Sequence, residues 1–66
     1  MRVKFLVRRK AEGLTQAQLG EKLGVSGKQI SYIENGSSNG SHKFWNRVKE
    51  LWGIPNSEME DYRQNT

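Results

Sequence analysis

The apolar residues of this 66-residue chain fall into short blocks separated by glycine, and the most regular blocks lie between Leu14 and Gly36. Thr15 followed three positions later by Gln18 is the pattern of a capping box, in which the hydroxyl accepts from an early helix amide and the glutamine side chain returns to the cap's own N–H. Leu14 before that cap and Leu19 four positions after it form the accompanying hydrophobic staple. A helix is therefore predicted over 15–23, stopped by Gly24 in the left-handed conformation that ends helices. Ser26 with Gln29, flanked by Val25 and Ile30, repeats the device and predicts a second helix that ends at Asn35-Gly36. Gly24-Val25-Ser26 then becomes a tight turn, and residues 15–35 read as helix, turn, helix. Glycine is a poor helix former, by up to ~1 kcal/mol against alanine, so Gly20 inside the first of these helices marks a close approach of the second.

The flanking blocks are less regular. Residues 3–12 predict a helix stopped by Gly13, but it is the poorest amphipath, because Val3, Phe5, Leu6 and Val7 crowd together ahead of Arg8-Arg9-Lys10. After a Ser/Asn/Gly loop over 36–41, Ser41 is placed to cap a fourth helix over 42–52. Its Phe44, Trp45, Val48, Leu51 and Trp52 recur at the three- and four-residue spacing of a core-facing stripe, and Gly53 ends it. Pro55 suits the start of a fifth segment. Ser57 with Glu60 is a weaker capping box for a last helix reaching about Arg63. Five short helices and no strand pattern give an all-α fold in one domain over 1–66.

Composition narrows the chemistry. The chain has no cysteine, so disulfides and thiolate metal sites are excluded, and its one histidine, His42, is too few for a histidine-rich zinc site. No nucleophile–base pair, carboxylate pair or metal-ligand cluster has a recognisable spacing, so the expectation is a protein that is not an enzyme and needs no cofactor. No apolar run approaches the ~18 residues of a membrane span, and the cationic start lacks the apolar stretch of a secretory signal, so a cytoplasmic protein is expected. The net charge of +4 is unevenly held. Residues 1–49 carry ten Lys/Arg and three acids, whereas residues 50–66 carry Arg63 against Glu50, Glu58, Glu60 and Asp61. A basic body of this kind points to a polyanionic partner.

The stretch from Gly13 to Gly36, Gly-Leu-Thr-Gln-Ala-Gln-Leu-Gly-Glu-Lys-Leu-Gly-Val-Ser-Gly-Lys-Gln-Ile-Ser-Tyr-Ile-Glu-Asn-Gly, resembles the helix-turn-helix of the phage Cro and repressor family, also called the xenobiotic-response-element family. The resemblance continues to Leu51-Trp-Gly-Ile-Pro55 and covers about residues 3–63. It implies a lambda-repressor-like domain of five helices that binds operator DNA, double-stranded, as a homodimer and regulates transcription in a bacterial or phage-infected cell.

Position by position, the resemblance implies that Gln16 meets a phosphate at the start of the second helix. Ser26, Gly27, Lys28, Ser31 and Tyr32 would lie on the recognition helix, whose outward face reads base edges. Asn35, Ser38, Asn39 and Lys43 would contact the DNA backbone, and Arg9 with Glu34 would form an ion pair tying the first helix to the third.

Three departures stand out. Gly27 has no side chain where relatives often place Gln or Arg. Arg8 and Glu12 stand where relatives are often apolar. The loop after Asn35 lacks the cation density that some relatives use. Trp52, Ile54, Met59 and Tyr62 are many large apolar groups for the end of a small domain. They read as a dimerisation segment over 52–63, with monomer core as the alternative. The other function class is a protein-interaction module on the same scaffold, such as an antirepressor or phage inhibitor.

Overall fold

The computed structural model describes residues 1–65; Thr66, the last residue of the domain expected over 1–66, lies outside the described residues. Five helices follow one another: α1 (Val3–Ala11), α2 (Gln16–Leu23), α3 (Gly27–Asn35), α4 (His42–Trp52) and α5 (Asn56–Arg63). No strand occurs among the described residues. The fold is the all-α arrangement that the periodicity predicts. α2 packs mainly on α3, α4 supports α2, and α1 lies against both α3 and α5.

The core draws on every helix: Phe5, Leu19, Leu23, Ile30, Ile33, Phe44, Trp45, Val48, Ile54 and Tyr62 are buried, with Leu14, Val25, Trp52 and Met59 packed on its edge. Phe5 is its aromatic hub. Its ring meets Trp45 edge-on at 5.4 Å and Phe44 at 6.0 Å, and lies tilted on Trp52 at 5.7 Å. Such geometries contribute beyond the area they bury, because the positive ring edge faces a negative ring face. A helix whose apolar residues crowd together in sequence thus supplies a central side chain of the core.

Three local expectations are corrected. Ser26 caps α3, accepting from the Gln29 N–H at 3.1 Å, but the Gln29 side chain does not return to the cap. Its amide lies 3.5 Å from Ser38 Oγ instead, so this box is half formed. Ser57 caps nothing: α5 begins at Asn56 with Pro55 as N-cap and no side-chain cap bond. Proline's fixed φ starts the helix early and leaves Ser57 inside the first turn. Leu51 sits at the edge of the α4 stripe and is 39 % exposed, while Phe44, Trp45 and Val48 carry the burial.

Candidate nucleic-acid interface

The α2–α3 unit is fixed by short-range contacts. At the start of α2 both halves of the capping box are made: Thr15 Oγ1 accepts from the Gln18 N–H at 3.1 Å, and the Thr15 N–H donates to Gln18 Oε1 at 2.9 Å. Gly24 closes α2 at φ +77°, which a side chain rarely tolerates. Gly20 is buried against the turn. A Cβ there would stand 2.5 Å from the Val25 carbonyl oxygen and 2.9 Å from the Ser26 carbonyl carbon, so any larger residue pushes α2 off the turn. Gly27 has the same explanation. Its missing Cβ would lie 3.0 Å from the Cα and the backbone N of Ala17, so the glycine permits the first turns of α2 and α3 to touch. It is half-buried against α2 rather than outward beside Lys28.

α3 is therefore two-sided. Ile30, Ile33 and Glu34 are buried, while Lys28, Tyr32 and Asn35 are exposed and Ser31 is half-buried. Lys28 Nζ lies 5.8 Å from the centroid of the Tyr32 ring, one helical turn away, so the cation and the aromatic share one outward face. Ser26 and Lys43, at the starts of α3 and α4, are also exposed.

Beneath this face lies a buried ion pair. Arg9 Nε is 2.5 Å from Glu34 Oε2, with the two side chains 10 % and 5 % exposed. Arg9 also donates to the Leu14 carbonyl at 2.8 Å, and Gln16 Nε2 donates to Glu34 Oε1 at 3.0 Å. The carboxylate thus joins α1, α2 and α3. Gln16 stands at the first position of α2, but its amide group is engaged inward with Glu34, which leaves its backbone N–H at the helix terminus.

The loop after α3 is also internally bonded. Asn35 Oδ1 accepts from the Ser37 N–H at 2.8 Å, and Asn39 Oδ1 and the Ser38 carbonyl accept from Arg2 at 3.3 and 2.7 Å. The Ser38 N–H returns to the Tyr32 carbonyl at 3.1 Å. Asn35, Ser38 and Asn39 thus each have a polar group tied into the loop, although Asn35 and Asn39 are exposed, whereas the exposed side chains of Lys28, Tyr32 and Lys43 make no hydrogen bond to the loop among the described residues.

Of the four residues read as a dimerisation segment, Ile54 and Tyr62 are 4 % and 5 % exposed within this chain's own core, and Trp52 and Met59 are half-buried.

Three arginines have structural work that periodicity does not reveal. Arg2 is 3 % exposed. Arg8 donates to the Tyr62 hydroxyl at 3.1 Å and the Trp52 carbonyl at 3.2 Å and lies over the Trp52 ring. That explains the polar residue at this position of α1: the guanidinium spans α4 and α5. The Tyr62 hydroxyl bond, first, raises the Arg8 pKa above the usual arginine value. Arg47 donates to the Leu23 carbonyl at 2.8 Å and so caps the end of α2 at the turn. The only sequence signal for Arg47 is a cation in the middle of α4, which solvent exposure explains equally well.

Among the described residues no cluster could hold a metal ion, and no helix is long and apolar enough to cross a membrane. Neither the curated proteins nor the solved structures yield a match to the chain. A family model described as helix-turn-helix matches residues 7–39, which is half of the chain and contains the whole of α2, the turn and α3. With its capped α2, glycine turn and two-sided α3, the chain belongs to the helix-turn-helix family of DNA-binding domains, of the Cro and repressor type.

Proposed function

We propose that the protein is a sequence-specific transcriptional regulator that places α3 in the major groove of double-stranded operator DNA. The observation that carries this is the outward face of α3. Lys28 and Tyr32 are exposed on it side by side, while Glu34 and two isoleucines anchor the opposite face. A lysine ammonium can donate to guanine O6 and N7, and a tyrosine can meet a thymine methyl or a phosphate. The first amides of α2 suit a phosphate oxygen through their free donors and the helix dipole. Lys43 on the first turn of α4 adds a cation beside the loop.

The chain carries a single α3, and successive major grooves on one face of a duplex are about 34 Å apart, so reading two half-sites takes two copies. Of the four apolar residues expected at the dimer interface, Trp52 and Met59 keep surface to give, and the exposed part of Leu51 lies next to Trp52 in sequence.

Salt tests the reading. Binding to duplex DNA should weaken linearly in log–log form between about 50 and 200 mM salt, with a slope of about −0.9 for each phosphate neutralised. Lys28→Ala should cost about 1–3 kcal/mol and relax preference at one base position. Binding indifferent to salt would instead favour a protein-interaction module on the same scaffold.

A further inference from the structure

Arg2 is the most heavily bonded buried cation among the described residues, and its guanidinium partners are neutral. Nε donates to the Arg63 carbonyl at 2.9 Å, Nη1 to the carbonyls of Ile33 at 2.8 Å and Ser38 at 2.7 Å, and Nη2 to Asn39 Oδ1 at 3.3 Å. Its backbone N–H donates to the Glu34 carbonyl at 2.7 Å. The guanidinium lies 5.6 Å from the Trp45 ring, and the Trp45 indole N–H donates to the Asn39 carbonyl at 2.9 Å. Burial, with a smaller contribution from the Arg63 charge, lowers the Arg2 pKa from the usual arginine value.

An arginine held by carbonyls instead of a carboxylate needs an electrostatic reason. Ile33, Glu34 and Arg63 stand at the C-terminal ends of α3 and α5, where unpaired carbonyls and the helix dipole present negative charge. α3 has no basic residue in its own last turn. Arg2 supplies that cation from outside the helix, and its planar fork reaches both helix ends and the loop at once.

We infer that Arg2 is a positioning residue of the DNA interface: one guanidinium sets the Ser38–Asn39 backbone in register with the end of the recognition helix. The inference rests on the reading that α3 and the loop after it meet DNA. The Ser38 N–H and carbonyl and the Asn39 carbonyl and Oδ1 are committed internally, so Asn39 keeps its backbone N–H and Nδ2 as donors to meet a phosphate, on a loop that Arg2 and Trp45 shape. Because Arg2 touches none of the outward α3 side chains, it governs backbone grip and leaves base preference alone.

The test uses the full chain and a duplex recovered by selection. Wild type is titrated first across a salt series, and absence of duplex binding would overturn both the functional reading and this inference. Given wild-type binding, Arg2→Met is expected to weaken it about ten-fold, and because the lost contacts are to neutral loop donors, the loss should persist across the salt series. The selected base preference should stay unchanged, and hydrogen exchange at the Ser38 amide should accelerate. Arg2→Lys keeps the charge but loses the fork, and should stay closer to Arg2→Met than to wild type. A folded Arg2→Met protein with wild-type affinity would overturn the inference, as would a loss that disappears at the high end of the salt series, which a bare charge effect gives, or full rescue by lysine. Should Arg2→Met not fold, Trp45→Phe takes its place with the same readouts; it removes the indole bond to Asn39 and keeps a ring.

Discussion

Between Thr15 and Gly36, residues close in sequence make the contacts that fix the geometry, as in the Thr15–Gln18 box three positions apart. On the side formed by α1 and α5 the fixing contacts reach much further. Arg8 meets Trp52 and Tyr62 across 44 and 54 positions, and Arg2 meets Arg63 across 61. The first region is stabilised by caps and close glycine packing, the second by guanidinium groups that collect carbonyls and rings from distant helices. The two regions therefore play different parts. The local one builds the α2–α3 unit, and the long-range one holds it against the rest of the molecule.

The largest expected effect lies at the joint between the two regions. Glu34→Ala leaves the Arg9 guanidinium buried without its carboxylate, and should cost about 3–5 kcal/mol in chemical denaturation, enough to unfold much of so small a domain. A loss under ~1 kcal/mol would mean that Arg9 finds water and that the two regions are held by apolar packing alone. Next comes Gly20→Ala, which gains up to ~1 kcal/mol in helix propensity yet must displace the Val25 carbonyl. A net loss of about 1–3 kcal/mol is expected, and greater thermal stability would contradict the close approach.

Arg8→Ala probes the long-range side. It removes the bonds to Tyr62 and Trp52 and should cost about 1–2 kcal/mol by the same measurement. No loss would reduce those bonds to surface decoration. The smallest effects come from the caps. Ser26→Ala should cost about 1 kcal/mol, because it strips a cap that is made. Ser57→Ala should stay within about 0.5 kcal/mol, because Ser57 caps nothing. Equal costs for the two serines would undo the distinction between a made and an unmade cap.

The same contrast explains what the sequence discloses. The α2–α3 unit is legible down to single positions, since a capping box, a staple and a turn glycine are rules written over short stretches of chain. The start of α5 is not, because Pro55 and Ser57 compete for the same role and only backbone geometry decides between them. The box at Ser26 is half formed for a reason that lies outside its own helix, because the Gln29 amide turns toward Ser38 in the next loop. Arg2 is invisible in the sequence: a lone arginine near a chain end reads as a solvated charge until the ends of α3 and α5 are seen to converge on it. Phe5 is hidden in the same way, since crowding among Val3, Phe5, Leu6 and Val7 does not reveal which of them points inward. Gly27 reads as a missing base contact, and only its 3.0 Å approach to Ala17 gives the packing reason.

Everything proposed for this protein turns on whether the outward face of α3 reads duplex sequence. Selection of bound molecules from a random pool of duplex DNA, run in parallel on wild type and Lys28→Ala, decides it. Wild type is expected to yield a palindromic consensus, with two half-sites spaced by one helical turn, about 34–36 Å. The Lys28→Ala protein should recover the same consensus with one position per half-site relaxed. A wild-type pool that shows no enrichment, or a consensus identical in the two proteins, would contradict that reading.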